Sequence, residues 1–315
     1  MTMFRNLPAL VTVAVFVLLY AACAAQFPFM LSSRVALNLL TDNAFLGVLA
    51  VGMTIVILSG GVDLSVGAVV AFVGVLVALL VGNGVDPWAA FALALALGTA
   101  FGALMGAAIH WLQAPAFIVT LAGMFLARGA CFLLTVDSIP IVHPLYASLS
   151  SQRLTLPAIM LLTFLGGAVL LGATRFGTAV RALGGDARQA ELMGVDVART
   201  RIGIYAFSGL CAALAGILFS INTPSAHSLA AIGVELDAIA AVVIGGTLLT
   251  GGYGGVLGSL FGVLILGLIQ SYIIFTGTLS SWWAKIATGL LLFAFIAMQR
   301  IVLLVTARRA GGVAP

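Results

Sequence analysis

The residues able to do chemistry are few. Asp63 and Ser65 stand in Gly60-Gly61-Val62-Asp63-Leu64-Ser65, at the head of one apolar run. Glu235 and Asp237 stand in Gly233-Val234-Glu235-Leu236-Asp237, at the head of another. Ionisable groups are costly in lipid and usually face a cavity, so these four residues are candidates to line a polar solute pathway. Asp63 and Asp237 also read as helix caps or first-turn acids at the positive end of a helix dipole, the reading that the sequence favours, with the pathway reading left open. Arg128 reads as a structural cation that snorkels to an interface or pairs with an acid such as Asp137. Trp282 and Trp283 read as interfacial belt residues, with sugar stacking as the other use. His110, His143 and His227 are scattered, and Cys23, Cys131 and Cys211 lack C-x-x-C spacing. There is no H-E-x-x-H and no G-x-S-x-G. The reading is therefore of a chain with no catalytic constellation, no metal site and no cofactor.

A different chemistry is encoded at residues 174–201, which hold eight charged residues in 28 positions. Gly184-Gly185 permits a tight turn, and Asp186 is a good N-cap with Gln189 three residues on, as in a capping box. Ala187 to Met193 favours helix, and Gly194 is a natural stop. Ala187, Ala190 and Met193 would form a small apolar face. An isolated two-turn helix is unstable in water, so one encoded this well is expected to dock on a partner. The other reading is a solvated connector. The chain also lacks a Walker A loop, which needs a lysine in a glycine framework; its one lysine, Lys285, follows Trp282-Trp283-Ala284. If ATP powers this protein, another subunit binds it.

These groups must be carried by membrane helices. Of 315 residues, 63% are hydrophobic and 7% charged, against about 45–50% and about 25% in soluble domains. That excludes a soluble enzyme, a disordered chain and a nucleic-acid module. At about 20 residues per span, apolar runs predict ten transmembrane helices: 8–25, 40–58, 65–82, 88–111, 115–135, 157–173, 202–221, 236–251, 255–275 and 283–305. The fold class is thus all-α, a polytopic membrane bundle forming a single transmembrane domain over 1–315, with the 174–201 loop inside it. The first run could be a signal peptide; because most of the remaining chain also spans, an uncleaved first helix is expected. The 37 glycines suit close helix packing. With both termini cytoplasmic, Arg5, Arg175, Arg181, Arg188, Arg199, Arg201, Arg300, Arg308 and Arg309 lie inside, and Arg34, Arg153 and Lys285 outside. This is the bias that the positive-inside rule requires. Residues 61–74 and 233–246 share six identities in 14 positions, and in this topology they start at opposite faces. Spans 2–5 and 7–10 are therefore expected to form an inverted repeat, with a pathway between the halves.

The run Val51-Gly52-Met53-Thr54-Ile55-Val56-Ile57-Leu58 with Ser59-Gly60-Gly61-Val62-Asp63-Leu64-Ser65-Val66-Gly67 resembles the signature of the ribose-type sugar ABC importer permeases. Pro115-Ala116-Phe117-Ile118-Val119-Thr120-Leu121, Gly184 to Val195 and Glu235 to Thr247 match further blocks of that family in order. Within it the likeness is strongest to the second permease subunit of a bacterial galactofuranose importer. That likeness is carried by Leu40 to Gly47, Ser138-Ile139-Pro140-Ile141 and Gly277 to Trp283. The resemblance implies a bacterial inner-membrane permease that moves a monosaccharide. Its partners would be a cytoplasmic ABC ATPase, a sister permease in a hetero-dimer, and a periplasmic sugar-binding protein. It also implies that Gly185, Asp186, Ala187, Ala190, Met193 and Gly194 couple the chain to the ATPase. An ion-coupled secondary transporter is the alternative.

Overall fold

The computed structural model describes residues 7–278, 280 and 282–309. Arg5 of the orientation argument, and Leu279 and Ser281 of the galactofuranose-type run, lie outside the described residues. Fourteen α-helices are found among the described residues. They are α1 (Leu7–Gln26), α2 (Ser33–Asp42), α3 (Ala44–Leu58), α4 (Val66–Gly82), α5 (Pro87–Trp111), α6 (Ala116–Leu134) and α7 (Pro144–Ser151). Then come α8 (Thr155–Ala173), α9 (Arg175–Gly185), α10 (Ala187–Leu192), α11 (Val197–Asn222), α12 (Val234–Ile244), α13 (Val256–Thr276) and α14 (Trp282–Arg309). Two short strands, β1 (Ile139–Pro140) and β2 (Ser225–Ala226), pair antiparallel.

Among the described residues, six helices are long and apolar enough to cross a membrane: α5, α6, α8, α11, α13 and α14. A seventh span forms if α2 and α3 count as one helix bent by 51°. The expected span at 40–58 is therefore broken. Asn43 sits at the break, its side chain donating to the Leu39 carbonyl (2.8 Å). The expected span at 236–251 is not one helix either. α12 stops at Ile244, and glycines with positive φ at 246, 251, 252 and 254 carry the chain through turns to α13. At 11 residues, α12 is about 16 Å long, half of a hydrocarbon core of about 30 Å.

The apolar pattern decides position. α3 is hydrophobic all round, and within it only Phe45 is part-exposed, as a core helix should be. It packs on α8, α11, α12 and α13. α6, α8 and α14 instead expose side chains such as Leu126, Leu133, Leu162 and Phe293, a surface suited to lipid. α1 lies on α13, with Phe16 and Phe261 edge to face at 5.6 Å.

The most extensive helix contact is that of α5 with α11. Gly98, Gly102 and Gly106 fall on one face of α5 at four-residue spacing. A Cβ at Gly98 would lie 2.6 Å from that of Ala213, and one at Gly106 would lie 2.8 Å from the Ile202 Cα. Gly102 directly faces the Tyr205 carbonyl. Small residues let the two backbones meet.

α8 and α11 connect two ends of the bundle. One end, the basic end, carries residues 174–201. The other carries β1, β2 and α7, whose N-terminus is capped by His143 Nδ1 accepting from the Leu145 N–H (3.1 Å).

Candidate functional site

At the basic end, Asp186 caps α10 as its position predicts: Oδ1 accepts from the N–H groups of Arg188 (2.8 Å) and Gln189 (3.0 Å). The reciprocal bond of a capping box is replaced, since the Asp186 N–H goes to the Ala182 carbonyl (3.1 Å). Met193 is the C-cap and Gly194, at φ 84°, makes the stop. Gly185 ends α9, exposed beside the cap.

The expected docking face needs a correction. Ala190 is fully buried and Ala187 half-buried, because α10 packs on α9 and α11 of its own chain. Of the three expected face residues, Met193 is the one that points outward, at 72% exposure; beside it Leu192 is 84% exposed. Leu192 lies two residues past Ala190, about 200° round the helix. The outward apolar knob is therefore Leu192 with Met193, set among Arg188, Gln189 and Glu191, all exposed. Sequence reasoning missed Leu192, although Glu191-Leu192-Met193 was the signal for it.

α9 joins this knob to the bundle. Gly184 is pressed against the Leu58 carbonyl and the Gly252 N–H, which themselves bond at 2.8 Å. Arg181 Nη1 donates to the Gly254 carbonyl (3.1 Å). The ends of α9 and α3 and the turn between α12 and α13 thus meet at one backbone junction.

The four candidate pathway residues separate. Asp63 is fully buried. Its Oδ1 accepts from the Ser65 N–H (2.9 Å) and Oγ (2.6 Å), and its Oδ2 from Ser208 Oγ on α11 (2.7 Å). Ser65 is buried with it. Asp63 has no ion-pair partner among the described residues, and its hydrogen bonds tie the turn before α4 to α11. Glu235 accepts from the Gly233 N–H (3.2 Å), and its carboxylate lies against Gly67 of α4. Asp237 differs: Lys285 of α14 donates to both its oxygens, at 2.7 and 2.5 Å. Arg128 takes a structural place, donating to the carbonyls of Ser228 (2.6 Å) and Ala230 (2.7 Å); the acid within electrostatic reach is Glu235 and not Asp137.

Asp63→Asn is accordingly expected to fold and transport normally. The amide oxygen keeps the Ser65 bonds, and its NH2 can donate to a reoriented Ser208 hydroxyl. Asp63→Leu strands two buried hydroxyls, at about 1–3 kcal/mol each. Thermal melting and uptake measured on both variants check this; lost uptake in a stable Asn variant would restore a pathway role.

A family model described as the branched-chain amino acid transport system / permease component matches residues 35–296. The chain is 57% identical over 306 residues to the inner membrane ABC transporter permease protein YjfF of Escherichia coli K12, covering 94% of this chain and 92% of that protein. The chain belongs to this permease family. Other relatives put the permease among the ribose-type sugar ABC importer permeases. It is 38% identical to the ribose import permease protein RbsC of Escherichia coli K12 over 82% of this chain and 84% of that one. It is 37% identical to the fructose import permease protein FruG of Bifidobacterium longum over 96% and 93%. No solved structure matches the permease.

Proposed function

We propose that this permease is the pathway-forming subunit of an ATP-driven importer of a monosaccharide, galactofuranose by its sequence likeness. The basic end would face the cytoplasm and a periplasmic sugar-binding protein the other end. A sister permease would complete a hetero-dimer in the bacterial inner membrane. The carrying observation is the Leu192–Met193 knob: an exposed apolar tip on a well-capped helix, surrounded by charges and left uncovered by the described residues. Such a tip suits insertion into a cleft of a cytoplasmic ABC ATPase. The Gly184–Leu58–Gly252 junction would carry its displacement to α3, α12 and α13. The names of the fructose and ribose relatives support the sugar class.

Ten crossings fit this reading, with α4 and α12 as the short ones, both termini on the basic side, and one transmembrane domain over 1–315. The packing supports an inverted repeat. α4 contacts α5 and α6 as α12 contacts α13 and α14, and α11 contacts α4 and α5 as α3 contacts α12 and α13.

The test is uptake into sealed vesicles holding the permease with its ATPase and sister subunit, supplied with binding protein. The expected result is accumulation that requires ATP and survives collapse of ion gradients. Uptake that stops with the gradients and ignores ATP would make the protein an ion-coupled secondary transporter.

A further inference from the structure

We infer that a cavity of about 690 Å3 between α3, α11, α12, α13 and α14 is a weak binding subsite for a neutral monosaccharide. This rests on the sugar-permease reading and adds to it a location and a recognition chemistry.

The volume lies within the range of small-molecule pockets, about 300–1,000 Å3. The walls combine apolar surface with a few polar groups, as such pockets do. Phe45 and Phe219, edge to face at 5.2 Å, give an aromatic wall. Asn222 and Gln270 line the cavity with exposed amides, each able to donate and accept. The Asp237–Lys285 pair also lines it, with Lys285 53% and Asp237 21% exposed. Against lipid that pair would be expensive, so it needs a polar filling.

The pair also sets the class of solute. An ammonium has three donors and a carboxylate about four lone-pair sites. Bonded to each other, the two retain both kinds of capacity while cancelling in charge. Asp42 lines the same cavity and leaves it one negative charge in excess, which opposes anions. Hydroxyl groups, each a donor and an acceptor, suit this lining.

The chain's own cysteines supply a test. Cys23, Cys131 and Cys211 are buried, so a thiol placed in the cavity is the reactive one. Gln270→Cys and Asn222→Cys, each at an exposed position, are made in the full-length permease. Spheroplasts carrying it are treated with a positively charged, membrane-impermeant thiosulfonate. Both thiols are expected to be labelled. D-Galactose, D-ribose or D-fructose at about twice its dissociation constant should slow labelling roughly threefold, and D-galacturonate should not. Labelling that no neutral sugar slows, thiols that stay unlabelled in the folded chain, or equal protection by galacturonate would each overturn the inference. Labelling requires no ATP, so a failed ATP-dependent uptake assay condemns the importer reading separately.

Discussion

Replacing Leu192 or Met193 with arginine is expected to stop ATP-dependent uptake while the folded permease stays in the membrane. Both side chains are exposed and outward, so the substitution removes no internal contact and buries no charge within the chain. Against a partner's apolar cleft the same change desolvates a guanidinium. Truncating a central anchor of an interface typically costs about 2 kcal/mol or more, roughly 30-fold in affinity, and a charge in its place costs further. The readout is co-purification of the ATPase together with uptake, both of which should fall while yield and melting temperature hold. Ala190→Arg is the contrasting variant. Ala190 is fully buried, so that change disturbs α10 against α9 and α11 and is expected to lose uptake by unfolding the loop. If Leu192→Arg and Met193→Arg both keep the ATPase bound, the knob is not the coupling element.

The second large effect is on stability. Gly102→Leu is expected to lower it by about 3 kcal/mol or more, the upper part of the range for overpacking, because its side chain would point into the backbone of α11 at Tyr205. Backbone cannot change rotamer to make room. Gly166→Leu in α8 is the matched control: nothing lies within 4 Å of its Cβ position. Its gain in helix propensity is worth up to about 1 kcal/mol. Thermal unfolding in detergent should separate the two variants, and equal melting temperatures would contradict the close contact of α5 with α11.

Much of this architecture was legible because lipid imposes a length on apolar runs. The boundaries expected for the third to seventh spans, and for the ninth and tenth, fall within a few residues of α4, α5, α6, α8, α11, α13 and α14. The two readings that changed have a common cause. Hydropathy counts Gly245, Gly246 and their neighbours as apolar and does not register that glycine releases the backbone, so the end of α12 was hidden. Likewise the bend at Asn43 depends on a local hydrogen bond, not on polarity. The cap of α10 was readable because Asp186 acts on residues two and three positions away. The direction of Ala190 was not, because it depends on where α9 and α11 lie. Asp63 shows the same limit: its second oxygen is satisfied by Ser208, 145 residues further along the chain.

The shortness of α12 bears on how the polypeptide enters the bilayer. The turns after Ile244 satisfy their backbone groups through other parts of the fold, as when the Gly252 N–H bonds to the Leu58 carbonyl. Hydrocarbon offers such groups nothing. Residues 234–255 therefore cannot partition into the membrane as a solitary segment. They are expected to enter with α3 already in position and alongside α13, which would make insertion of this region a step of several helices together.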